Sequence, residues 1–228
     1  MLCYHITLKT VKDRLASSYL SPFITHFSHT KTKATNMNPG YLILHPSPPS
    51  PLHTHVELIA RLTEVQFLDK PVIHGKQQFY PGDRFLQWIT YLGCSPAIPL
   101  EQNDPQQNCT IQLFGPYQAP QLISGSNTRP PRCPHCRHDF INWQTQFNKE
   151  NPYPIICPAC GKPLLAHQLN WRQQGGISRQ FLTISHVFPG EAVPVSDLLR
   201  VLEIEGGKWE YCYAQDPIRL EVLNETDK

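Results

Sequence analysis

The sequence predicts an α+β fold: a small mixed sheet of about four strands with packing helices and an inserted four-cysteine module. Three observations lead to it. Two cysteine pairs, Cys133-Pro134-His135-Cys136 and Cys157-Pro158-Ala159-Cys160, lie twenty residues apart and mark a self-contained segment in mid-chain. Segments of strand-like alternation and of helix-like periodicity occur on both sides of that segment. The 23 prolines in 228 residues break the chain too often for long continuous helices.

Residues 1–36 are rich in Ser, Thr and His with one acid, and Lys9, Lys12, Asp13 and Arg14 interrupt any apolar run of signal-peptide length. The composition resembles a transit peptide and equally resembles translated sequence upstream of a start at Met37, the reading preferred here. Pro46-Ser47-Pro48-Pro49-Ser50-Pro51 reads as an extended linker. Residues 1–51 are therefore expected to be a disordered leader and proline-rich linker, with order beginning after them.

In residues 52–128 the pattern predicts two helices and a β-hairpin. Val56, Ile59 and Leu62 share a helical face behind Thr54, a residue type suited to the N-cap. A second helix is expected from Asp83, with Phe85, Leu86, Trp88, Ile89 and Leu92 forming an apolar face before Gly93 ends it. Cys109 to Phe114 and Gln121 to Ile123 flank Gly115-Pro116 and read as the hairpin. In residues 173–228, Phe181–Phe188 alternates as a strand that Pro189-Gly190 stops. Ser196 is expected to cap a helix over Asp197–Leu202, and Trp209–Tyr213 returns as a strand, a β-α-β run belonging to the same α+β unit.

Residues 129–172 hold the chemistry. Each Cys-x2-Cys turn places two thiolates on one side of a tight loop, and two such turns close a tetrahedron without a distant ligand, so Cys133, Cys136, Cys157 and Cys160 are expected to bind structural Zn2+. Four thiolates on a dication leave a formal charge of −2, which Arg129, Arg132, Arg137 and Lys162 can offset. Proline after the first cysteine of each pair preorganises the turn, and Gly161 tolerates positive φ. His135 and His138 lie near a metal that four cysteines already saturate.

With its two Cys-Pro-x-Cys turns, this segment resembles the zinc-ribbon and rubredoxin-like knuckle families over about 40 residues. The resemblance implies a closed metal site on facing loops. The second knuckle, Cys157-Pro158-Ala159-Cys160-Gly161, matches the family pattern; the first has Arg137 where glycine is common, which argues against an electron-transferring iron site. Gly93-Cys94-Ser95-Pro96, Arg129-Pro130-Pro131-Arg132-Cys133 and Phe188-Pro189-Gly190-Glu191-Ala192-Val193-Pro194 together resemble uncharacterised bacterial proteins, which implies no function.

The remaining cysteines, Cys3, Cys94, Cys109 and Cys212, lack a disulfide-framework spacing, so a reducing, cytoplasmic location is expected. A redox role for the paired cysteines lacks the surrounding βαβ pattern. The net charge of +2 conceals an uneven distribution: residues 125–180 carry seven basic and two acidic side chains, residues 181–228 four and nine. Opposite-signed faces suit a protein partner or self-association, and a non-catalytic interaction or assembly module is the preferred reading. Nucleic-acid binding is the alternative, with Arg129, Arg132, Arg137, Lys162 and Arg172 as phosphate contacts and Trp143, Phe147, Tyr153 and Trp171 as stacking faces. A thiol enzyme using Cys94 with His186 or His74 as base is a third. No G-x-S-x-G, P-loop, H-E-x-x-H or dinucleotide glycine pattern is present, and His53 and His55 have no third ligand in view.

Overall fold

Leu42, Ile43 and Leu44 are fully buried at the centre of a sheet, in a strand, β1 (Gly40–Pro46), that the reading above assigned to the disordered leader. The computed structural model describes residues 40–74, 76–92, 98–146 and 154–223, and in β1 the chain is already ordered. An apolar run of this length needs neighbours on both edges, and β1 has them: it pairs antiparallel with Phe181–Ser185 and with Trp209–Gln215. The rest of the leader, including Met37, lies outside the described residues.

After β1 the elements are α1 (His55–Glu64), β2 (Leu68–Pro71), β3 (Gln78–Pro81), α2 (Phe85–Trp88), β4 (Ile89–Tyr91), β5 (Ile111–Phe114), β6 (Gln121–Ser124) and α3 (Trp143–Gln146). Then follow β7 (Ile155–Ile156), β8 (Pro163–Leu164), a 3-10 turn (Ala166–Gln168), β9 (Gly175–Ser178), β10 (Phe181–Ser185) and β11 (Ala192–Pro194). The chain ends on α4 (Ser196–Leu202), β12 (Trp209–Gln215) and β13 (Arg219–Val222). The main sheet has six strands in the order β12-β1-β10-β5-β3-β2; a second has three, β13-β6-β9, and β11-β4 and β7-β8 are pairs. The fold is α+β but mostly β. The sheet is larger than the four strands expected, and each of these pairings is antiparallel rather than mixed.

Around β1 and β10 the six-stranded sheet is buried on both faces. Leu42, Leu44, Leu182 and Ile184 point to one side, where Leu58 and Leu62 of α1 and Leu198 and Leu202 of α4 meet them. Ile43, Phe181, Cys212 and Ala214 point to the other, against Ile123 of the three-stranded sheet. Burial on both sides explains why all five residues of β10 are buried although the sequence alternates.

Local signals succeed where they are chemically specific. Thr54 caps α1 as expected: its Oγ1 accepts the Glu57 N–H at 3.2 Å, and Glu57 Oε2 accepts the Thr54 N–H at 2.9 Å, a reciprocal capping box. The second helix does not extend to Leu92. It stops at Trp88, and Ile89–Tyr91 becomes β4, paired with β11; an apolar run this short satisfies either period, and the unpaired edge of β11 decides it. Ser196 is the first helical residue rather than the cap, which is Val195.

The expected hairpin does not form. Both strands exist, but β5 pairs with β10 and β3, while β6 pairs with β13 and β9. The connection through Gly115-Pro116 therefore carries the chain from one sheet to the other. In the C-terminal β-α-β run, β10 and β12 are separated by β1, so the strand that completes the unit comes from the assigned leader. The proline stretch after β1 is tied down rather than free, with Ser47 N–H donating to Lys208 O at 2.8 Å and Lys208 N–H to Ser50 Oγ at 3.1 Å.

Candidate metal centre

The two cysteine turns share one hydrogen-bonding pattern. In the first, Cys133 N–H donates to His138 O at 2.9 Å and Arg137 N–H to Cys133 O at 3.0 Å; in the second, Cys157 N–H donates to Lys162 O at 2.9 Å and Gly161 N–H to Cys157 O at 2.8 Å. The residue after each second cysteine sits in the left-handed region, Arg137 at φ 62° and Gly161 at φ 71°. Glycine meets that requirement without a Cβ penalty, whereas arginine adopts it under strain.

These turns bring four sulfurs together. Cys133 Sγ lies 3.8 Å from Cys160 Sγ, Cys136 Sγ lies 3.6 Å from Cys157 Sγ, and all four are within 4.8 Å of one another. A tetrahedral ion holding thiolates at about 2.3 Å requires sulfur–sulfur edges of about 3.8 Å, while a disulfide requires about 2.05 Å. The spacing fits a four-thiolate metal site and not a pair of disulfides. Among the described residues no other group of three or more His, Cys, Asp or Glu has metal-binding proximity. Cys133 and Cys157 are buried and Cys136 and Cys160 exposed, so the cluster lies at the surface with one cysteine of each pair turned inward.

Without a cation the Cys133 and Cys136 thiols are driven in opposite directions. Burial raises the Cys133 thiol, but the N–H groups of Cys136 and His135 and the adjoining thiols outweigh it and bring it down to about 7. At Cys136 the His138 N–H favours the thiolate, yet desolvation and its three sulfur neighbours push it up to about 12. The Cys133 thiolate is favoured at the expense of Cys136, and a dication among the sulfurs would remove that conflict.

The module rests on its own apolar cluster. Phe140, Trp143, Leu164, Leu169 and Trp171 pack with Cys133 and Cys157 against Leu122, Ile177 and Leu223 of the three-stranded sheet. Trp143 and Trp171 meet edge to face at 5.4 Å, and Trp171 Nε1 donates to Ala166 O at 2.9 Å. Both tryptophans are therefore packing residues, buried and unable to stack on bases; Phe147 and Tyr153 lie outside the described residues.

The five basic residues separate into two groups. Asp139 Oδ1 accepts from Arg132 Nε at 2.8 Å and from Arg172 at 2.7 Å, and Arg172 also donates to Pro130 O. Arg132 and Asn170 exchange backbone hydrogen bonds at 2.9 and 3.0 Å, which joins the first knuckle to the end of the module. Arg132 and Arg172 thus clamp the segment, and their partner Asp139 was not identified from sequence; its place as one of two acids among seven cations was the available signal. Arg129, Arg137 and Lys162 are exposed.

Cys94 lies outside the described residues. Cys109 and Cys212 are buried, and burial pushes the Cys109 thiol up to about 12 and Cys212 higher still, as expected for inert interior thiols. His53 is buried with Nε2 against Leu202 O at 2.6 Å, while His55 opens α1. No helix among the described residues is long and apolar enough to cross a membrane. No protein-family model matches the chain, and no curated protein or solved structure matches it either, so neither resemblance noted from the sequence gains a family from these comparisons.

Proposed function

We propose that Cys133, Cys136, Cys157 and Cys160 bind one structural Zn2+, and that the protein is a non-catalytic interaction or assembly module presenting its knuckle face to a protein partner or a second copy. The observation that carries this reading is the closed set of four sulfurs at tetrahedral spacing. Four thiolates leave no coordination position for water or substrate, so the ion holds structure. Zinc is favoured over iron because the first knuckle has Arg137 where an electron-transferring site has glycine.

Exposed apolar side chains support a protein partner. Ile141 and Ile156 are 73 % and 58 % exposed on the module, which also carries the exposed cations Arg137 and Lys162. Exposed apolar and cationic side chains on one module suit a partner surface with apolar and acidic groups. Nucleic acid is the second reading and keeps only Arg129, Arg137 and Lys162 as free-standing contacts, since the two described tryptophans are buried.

Elemental analysis of protein purified without added metal tests the site, with about one zinc per chain expected. Iron, or no metal, overturns it. Ile156→Glu, tested by size-exclusion chromatography with light scattering and by pull-down of partners, tests the interface: loss of association at unchanged zinc content is expected. Association that falls steeply with salt and follows co-purified nucleic acid would instead favour the second reading.

A further inference from the structure

One face of the six-stranded sheet changes character along its width. Where Ile43, Phe181, Cys212 and Ala214 lie, it is apolar and covered by the three-stranded sheet. On the same side, the cross-strand pairs Gln78↔Gln112 and Gln112↔Thr183 continue outward as polar residues, with Thr110 and Ser185 alongside. Thr110, Thr183 and Ser185 are only 5 %, 3 % and 8 % exposed. Apolar side chains at these places would be cheaper to bury, as the other half of the face shows.

These residues floor a cavity of about 290 Å³, bounded by Tyr41, Gln106, His186 and Asp216. Its polar groups are held in set positions. Ser185 Oγ accepts the Thr110 N–H at 2.8 Å and lies 3.1 Å from His186 Nδ1, and Gln78 Nε2 donates to Thr110 Oγ1 at 3.1 Å. His186 has a left-handed backbone, φ 61°, and its ring meets the Ser185 hydroxyl. Asp216 is the one charged carboxylate among the lining residues, and neither Lys nor Arg is present among them. Desolvation lowers the His186 pKa below its ordinary value, which leaves the ring uncharged near neutrality.

We propose that this cavity binds a neutral, hydroxyl-rich small molecule of about monosaccharide size. Thr, Ser and Gln side chains each donate and accept, which matches hydroxyl groups that do the same. The volume lies at the lower end of small-molecule sites, roughly 300 Å³ and upward. Asp216, with no cation to oppose it, repels anions.

D-glucose, D-galactose and D-mannose are titrated into the full chain by calorimetry and by protein-observed NMR, with glucose 6-phosphate as the anionic control. At least one neutral sugar is expected to bind with millimolar or better Kd, shifting resonances of Thr183 and His186, while the phosphate ester binds at least about tenfold more weakly. Thr183→Val, which keeps the side-chain shape, weakens binding about tenfold, and Gln112→Leu does the same should Thr183→Val fold poorly. Absence of binding by all three sugars, equal binding of the phosphate ester, or affinity unchanged in both variants overturns the proposal.

Discussion

In the six-stranded sheet, β1 is hydrogen-bonded along both edges and Leu42, Ile43 and Leu44 are wholly buried, whereas β7 and β8 of the cysteine module are two residues each and Ile156 stands in solvent. The sheet is ordered by area: side chains on both faces leave water. The module has a smaller apolar cluster, joined by four clustered sulfurs, one tryptophan pair and the Arg132–Asp139–Arg172 clamp. A small core gains most from a cross-link, and the proposed metal would add to the module what wider burial supplies to the sheet.

The largest expected effect separates the two regions outright. Structural zinc contributes on the order of 10 to 16 kcal/mol of apparent binding energy in small metal domains. Cys157→Ser is therefore expected to yield zinc-poor protein in which amides of residues 131–140 and 154–170 exchange rapidly while those of β1 and β10 stay protected. Equal loss of protection in β1 would show that sheet and module unfold together, and full metal occupancy would remove the cross-link argument. Leu44→Ala makes the converse test. A cavity at this position costs about 2 to 5 kcal/mol, so thermal melting falls while zinc content stays unchanged.

A smaller effect compares the two knuckles with each other. Arg137 occupies the left-handed position that Gly161 occupies in the second turn, and a Cβ at Gly161 meets nothing within 4 Å. The penalty for Gly161→Ala is then one of backbone conformation, about 1 kcal/mol, and Arg137→Gly relieves a similar strain in the first turn. Chelator competition is expected to show tighter zinc retention for Arg137→Gly and weaker for Gly161→Ala. Shifts of the same sign would mean that the arginine side chain, and not its backbone, governs the first knuckle.

The smallest expected effect is acid sensitivity of the sheet region. Desolvation places the folded-state pKa of His45, His53, His55 and His186 below the ordinary 6.5. As pH falls the unfolded chain takes up these protons first. Stability is therefore complete above pH 6.5 and declines as pH drops below it. Melting followed between pH 8 and pH 5 by a probe of the sheet, with His45→Gln as comparison, is expected to show a shallower decline in the variant; identical profiles would show that His45 contributes nothing to the acid response.

Legibility in the sequence followed the range of the interactions involved. The two cysteine turns, the positive φ at Gly161 and the Thr54 cap are decided within a few residues, and each was readable from spacing and residue type. β1 was missed because its apolar run is short and lies between a polar leader and a proline stretch, and only distant partners at β10 and β12 make it a strand. The hairpin failed for the same reason, since the strands on either side of Gly115-Pro116 find better partners more than 60 residues away. The Asp139 clamp and the polar cavity likewise join residues far apart in the chain.

The sequence by itself determined the proximity of the four cysteine sulfurs, the capping of α1 and the positions of four strands, β5, β6, β10 and β12, because steric and hydrogen-bonding rules at short range allow few alternatives. The tertiary structure alone decided which strands became neighbours, that Gly40–Pro46 became an interior strand, and that Thr183 and Ser185 line a cavity. Those outcomes depend on which apolar faces can leave water together, and that is a property of the whole folded chain.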